Sequence, residues 1–227
     1  MCELTLQDAL KQLKIPINNL GQSINLNRCE DNYVGKLSYK KSNLFISKQL
    51  RLLNKKLRSK INCCSKNKLV VVLESPHINE FSKDLIAPAL GKTGIYLNYY
   101  LREIFNDLVK NERKTYKVFL LNCVPYQCSL GGSNKNTKNK IFKHMYTNYW
   151  EDDLLRRLKE IKPSIVLVAT TKIPLKGNSE LKFKLLEKIN SKLKLDYLYF
   201  STTHPSIWYK NFEVKDYKNN NKIIFSN

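Results

Sequence analysis

The sequence has no apolar stretch of about 18 residues, the length that a membrane-crossing helix requires. Its first residues lack the basic start and following apolar run of a secretory leader, so a cytoplasmic location is expected. None of its six cysteines, at positions 2, 29, 63, 64, 123 and 128, forms a Cys-x-x-Cys pair. That argues against a zinc ribbon, and in the cytoplasm free thiols are the default. Three histidines offer no spacing for a metal site, so no metal and no cofactor are expected. There is no Gly-x-Ser-x-Gly elbow of a serine hydrolase. Leu90-Gly91-Lys92-Thr93-Gly94 falls short of a full phosphate-binding loop. Acid is also scarce: 19 Asp plus Glu stand against 40 Lys plus Arg, leaving a net charge of +21.

An excess of that size repels itself in the compact state, and a polyanionic partner relieves the repulsion. A coding bias toward Lys and Asn accounts for part of it. The clustering asks for more. Residues 48–68 hold eight basic and no acidic side chains, and residues 132–146 hold four Lys and no acid. Such patches are the electrostatic footprint of a nucleic-acid binder. The expected partner is DNA, with no membrane contact, and the expected state is a monomer.

The chain has 227 residues, enough for one α/β unit with a full core. Residues 5–14 read as a short amphipathic helix capped by Thr5. Residues 15–39 read as irregular. Residues 43–61 space their apolar side chains helically, with basic residues on much of the other face. The expected organisation is therefore a basic, helical N-terminal region, 1–66, packed on an α/β core, 67–227. Within the core, four short apolar runs suit strands buried on both faces: 68–73, 117–121, 164–169 and 196–200. Helical patterns at 96–109, 149–161 and 179–193 lie between them. The alternation predicts a three-layer α/β/α fold around a central four-stranded parallel sheet.

The unusual polar residues follow those strands. Glu74-Ser75-Pro76-His77 follows the first, Asn122 the second, Thr170-Thr171 the third and Thr202-Thr203-His204-Pro205-Ser206 the fourth. Open parallel sheets bind ligands beyond the carboxyl ends of their strands, so these residues are expected on one rim. A carboxylate such as Glu74 can activate water or stabilise a cationic sugar in a glycosidic transition state. His204 can donate to charge developing on a leaving base, and Asn122 can both donate to and accept from a base edge. Each also has a structural reading, as a cap, a packed side chain or a turn residue.

Taken in order, these residues resemble the uracil-DNA glycosylase superfamily, and most closely its family 4 branch. Leu73-Glu74-Ser75-Pro76-His77 stands where that branch has a Gly-Glu-Ala-Pro-Gly loop. Residues Pro88 to Gly94, Leu120-Leu121-Asn122, Lys162 to Val166 and His204-Pro205-Ser206 match its later motifs in sequence. The resemblance implies a base-flipping DNA glycosylase fold. In it, Glu74 handles the catalytic water, Asn122 reads the base and His204 stabilises the leaving group. Ser75, Pro76, His77, Ala89, Gly91 and Lys92 border the substrate. Pro88, Pro205, Ser206, Ile207, Trp208 and Tyr209 lie on the DNA, with Trp208 as the wedge, and Lys55 and Arg58 line the groove.

The departures matter as well. The cysteines do not match the family's iron–sulfur ligands, so no cluster is expected. Ala89 replaces an aromatic residue that stacks on the base, which suggests a wider pocket and a bulky modified base, such as glucosylated hydroxymethylcytosine in phage DNA. Uracil removal in DNA repair and a non-catalytic DNA-binding module are the alternatives. With no lysine evident at the strand-end rim, the activity is expected to be base removal alone, without strand-cutting lyase chemistry.

Overall fold

The computed structural model describes residues 3–16, 25–38, 41–44, 46, 66–82, 85–108, 114–128, 135–170, 179–201, 203–208, 212–218 and 222–225. Among the described residues, ten strands run in chain order: β1 Asn32–Ser38, β2 Lys41–Leu44, β3 Lys68–Leu73, β4 Phe81–Ser82, β5 Leu85–Ile86, β6 Thr115–Asn122, β7 Ile165–Val168, β8 Tyr197–Ser201, β9 Phe212–Asp216 and β10 Lys222–Phe225. The helices are α1 Leu6–Gln12, α2 Lys92–Leu108, α3 Lys135–Met145, α4 Glu151–Ile161 and α5 Ser179–Lys192.

The four apolar runs do form strands. β3, β6, β7 and β8 are parallel to one another, and β3 is central because its run KLVVVL can be buried on both faces. The expected four-stranded parallel sheet is nonetheless wrong. The sheet has eight strands in the order β10-β9-β8-β7-β3-β6-β1-β2 and is mixed. β1 and β2 add antiparallel beyond β6, and β9 and β10 add antiparallel beyond β8. The fold is therefore not the simple parallel sheet that the glycosylase resemblance implied.

The missed strands have a physical signature. β1 lies in the segment read as irregular, because a register shift between Tyr33 and Gly35 breaks its alternation. Gly35 has φ +125°, and a Cβ there would lie 2.1 Å from the Asn43 carbonyl oxygen of β2, so only glycine fits the bulge. Asn43 and Leu44 belong to β2, not to the start of a helix. Most of the helix expected over 43–61, with Lys55 and Arg58, lies outside the described residues. Tyr209 does too.

Two apolar cores lie on the two faces of the sheet. One joins α1, α3, α4 and α5 to Val70, Val72, Phe119, Leu121, Val166 and Val168. The other joins α2 to Leu69, Val71, Val118, Leu120, Ile165 and Leu167. Helix α1 starts where Thr5 accepts from the Asp8 N–H and Asp8 reaches back to the Thr5 N–H, a reciprocal cap. Behind the rim, Arg157 of α4 is buried. It bonds Asp153 at 2.7 Å, Asp31 at 2.7 Å and the Asn122 carbonyl at 3.0 Å.

Helix α2 enters beneath a tight turn. Ala89 takes φ +60°, and its carbonyl oxygen lies where a Cβ on Gly94 would be, 1.8 Å from the ideal position. Gly94→Ala must push backbone against backbone and should cost about 3 kcal/mol, read as a lowered denaturant midpoint. Gly91→Ala is the control, since its Cβ would meet nothing nearer than 3.9 Å and stability should hold within about 0.5 kcal/mol.

Candidate functional site

The carboxyl ends of the parallel strands open into a cleft of about 460 Å³. Its walls are Glu74, Ser75, His77, Asn79, Glu80, Gly91, Lys92, Thr93, Lys138, His204 and Ser206. The volume lies in the range of small-molecule sites. Three chain segments build it. The first runs from the end of β3 to the start of α2 and is tied to β6 by the Cys123 and Val124 N–H groups, which donate to the Leu73 and Glu74 carbonyls at 2.8 and 3.1 Å. The second is α3, which brings Lys138. The third is the loop after β8.

Glu74 sits deep in the cleft and is 5% exposed. Its Oε1 pairs with Lys138 Nζ at 3.1 Å, while its Oε2 is buried with no hydrogen-bond partner. A buried carboxylate oxygen without a partner is costly to the fold, a cost that a bound water or ligand group would relieve. Glu80, also buried, adds a second carboxylate to the same wall.

His204 caps the short 3₁₀ helix Pro205–Ile207. Its Nδ1 accepts from the Ser206 N–H at 3.2 Å, with the Ser206 hydroxyl 2.9 Å away. An Nδ1 that accepts leaves the proton on Nε2 in the neutral ring. Burial, with the Lys138 and Lys182 ammonium groups, lowers the His204 pKa to about 4. The ring is thus neutral near pH 7 and can donate through Nε2. His77, at the exposed mouth, caps Ile78–Glu80 by accepting from the Asn79 N–H at 3.3 Å. Its pKa is also lowered, by burial first and then by Lys138.

Several expected residues lie elsewhere. Asn122 is buried and does not line the cleft; it pairs in register with Leu73, one residue before Glu74. Its Nδ2 faces Cys29 Sγ at 3.7 Å, and its Oδ1 has no hydrogen-bond partner. Ala89 is fully buried in the α2-side core, so its small side chain does not widen the cleft. Pro76, Pro88 and Pro205 are buried and do not line it either.

Trp208 is not a wedge: it is fully buried, and its Nε1 donates to Ser201 Oγ at 3.1 Å and to the Thr203 carbonyl at 3.3 Å. It clamps the His204 loop against α2's side of the sheet. Two lysines were missed. Lys138 reaches the cleft from a polar helix far along the chain. Lys182 of α5 is buried, donates to the Thr170 and Ser201 carbonyls and lies 5.5 Å over the Phe200 ring. The only sequence signal for Lys138 was its place in the acid-free run 132–146.

Among the described residues, no helix is long and apolar enough to cross a membrane, and no group of His, Cys, Asp and Glu could hold a metal ion.

The lowered His204 pKa has a definite sign for stability. The unfolded ring binds its proton near pH 6.5 and the folded ring near 4, so the folded state loses stability as pH falls from about 6.5 toward 4. An NMR titration should find the His204 ring neutral down to about pH 4, and His204→Gln should flatten the acid limb of the stability curve. A ring titrating near 6.5 would contradict this site.

No protein-family model, curated protein or solved structure matches the chain. With the mixed eight-stranded sheet, this withdraws the assignment to the uracil-DNA glycosylase superfamily, together with the flipping wedge, the defence and repair roles and the modified-base preference drawn from it.

Proposed function

We propose that the cleft hydrolyses the N-glycosidic bond of a nucleotide in DNA. The reading rests on the chemistry of the cleft and not on kinship. One observation carries it: a buried carboxylate with an open oxygen shares a cation-lined cleft with a histidine held neutral.

Breaking a glycosidic bond puts positive charge on the sugar and negative charge on the departing base. Glu74 meets both needs of the sugar side. Its carboxylate can orient water toward C1′, and its charge stabilises the cationic sugar more strongly in a buried site than in water. His204 serves the other side. A neutral Nε2–H donates to the departing base without first having to lose a proton. Gly91 leads into α2 and Lys92 and Thr93 start it, where backbone N–H groups and the helix dipole favour a phosphate. The +21 charge supports a polymeric substrate over a free nucleotide, whose binding needs no field of such extent. Action on DNA as a monomer in the cytoplasm goes with this reading.

A panel of oligonucleotides tests it. Each would carry uracil, hypoxanthine, hydroxymethylcytosine or glucosylated hydroxymethylcytosine and be treated with alkali to break abasic sites. Breaks should appear on at least one substrate and fall by about 10²- to 10⁴-fold in Glu74→Gln and His204→Ala. Tight binding without breaks on every substrate would leave a DNA-binding module instead. Binding should weaken with salt, with a log–log slope of about −0.9 per phosphate contacted; a flat response would remove DNA as the partner.

A further inference from the structure

We infer that the cleft carries a second activity: Lys138 forms a Schiff base with the sugar aldehyde of an abasic nucleotide and cuts the strand beside it. This rests on the reading above, since an abasic sugar is what base removal leaves. From the sequence, no lysine is expected at the strand-end rim. The fold supplies one, because α3 carries Lys138 to within 3.1 Å of Glu74 Oε1.

Among the described residues, three lysines stand at or near the cleft, and their settings differ. Lys182 is buried and held by two strand-end carbonyls, so its amine is not free to reach a substrate. Lys92 is exposed at the start of α2, suited to a phosphate. Lys138 has a side chain 31% exposed, lines the cleft and has Glu74 as the sole partner of its amine among the described residues. Its amine lies beside a carboxylate that can take its proton. An amine beside a general acid–base is the arrangement that Schiff-base chemistry needs.

The steps balance without a cofactor. Glu74 takes a proton from the Lys138 ammonium, and the freed nitrogen pair adds to C1′ of the ring-opened sugar aldehyde. The resulting carbinolamine accepts that proton on its oxygen and loses water to give an iminium. The iminium acidifies C2′, and Glu74 removes a C2′ proton. The electron pair left at C2′ forms the C2′–C3′ double bond as the C3′–O bond breaks, and the 3′ phosphate departs with its pair. Water then hydrolyses the imine, returning Lys138 and releasing an unsaturated aldehyde. Nothing is oxidised or reduced.

The test uses the full chain and an oligonucleotide with a preformed abasic site, which bypasses base removal. Sodium borohydride, which reduces an imine to a stable amine, is added during incubation. A covalent protein–DNA adduct mapping to Lys138 is expected. It should fall at least about 100-fold in Lys138→Ala and equally in Lys138→Arg, which keeps a cation beside Glu74 but cannot form the imine. Retained binding of the abasic oligonucleotide by Lys138→Arg shows that the variant is folded. No adduct from a wild-type protein, or an adduct mapping to another amine, overturns the inference. Base removal by a protein that never traps defeats this inference alone. Trapping by a protein that removes no base from the panel defeats the hydrolytic reading alone.

Discussion

The structure hangs on a single guanidinium. Arg157 lies out of water between two carboxylates from different parts of the chain, Asp31 ahead of β1 and Asp153 one turn earlier on α4, and also holds the carbonyl at the end of β6. A buried charge is tolerable only when its donors are filled, and removing one partner from such a set typically costs about 3–5 kcal/mol. The three bonds fix where β6 stops relative to α4 and to the entry of β1. Because β6 and β3 end in register at Asn122 and Leu73, the same bonds set the depth at which Glu74 leaves the sheet. A cation that never faces the cleft thereby places the carboxylate that does.

The cleft itself is an arrangement of opposed fields. Burial strips His204 of water and the positive charge of Lys138 and Lys182 adds to this, so the ring gives up its proton and becomes a neutral donor. The same positive charge steadies Glu74 in a place where an unpaired carboxylate would be too costly. One ammonium thus pairs with the carboxylate and opposes a charge on the imidazole.

The centre of the fold was legible in the sequence and its edges were not. A run such as KLVVVL is apolar on both faces and bounded by Ser75-Pro76, so it reads as a buried parallel strand with little competition. β1 and β9 are partly solvent-facing, carry Lys and, in β1, a bulge, so neither shows an apolar run. The cleft was legible where residues directly follow the central strands, as for Glu74 and His204. It was not legible where a helix brings a residue in, as α3 brings Lys138. Trp208 shows the opposite error. Its place after His204 suggested an exposed ring, but a large apolar surface with an N–H that finds two acceptors is most stable inside. The ordered short motifs misled for a related reason. Any parallel sheet puts polar and turn-forming residues after its strands, so their order reports the architecture more than the ancestry.

The burial of Trp208 also makes the protein its own optical probe. The chain has two tryptophans, and they occupy opposite faces of the sheet: Trp150 among α1, α3 and α4, and Trp208 under the His204 loop. With Trp150 replaced by phenylalanine, all indole emission would come from the ring that holds that loop in place. Its colour would then distinguish a seated His204 from a displaced one, in solution and without any added label.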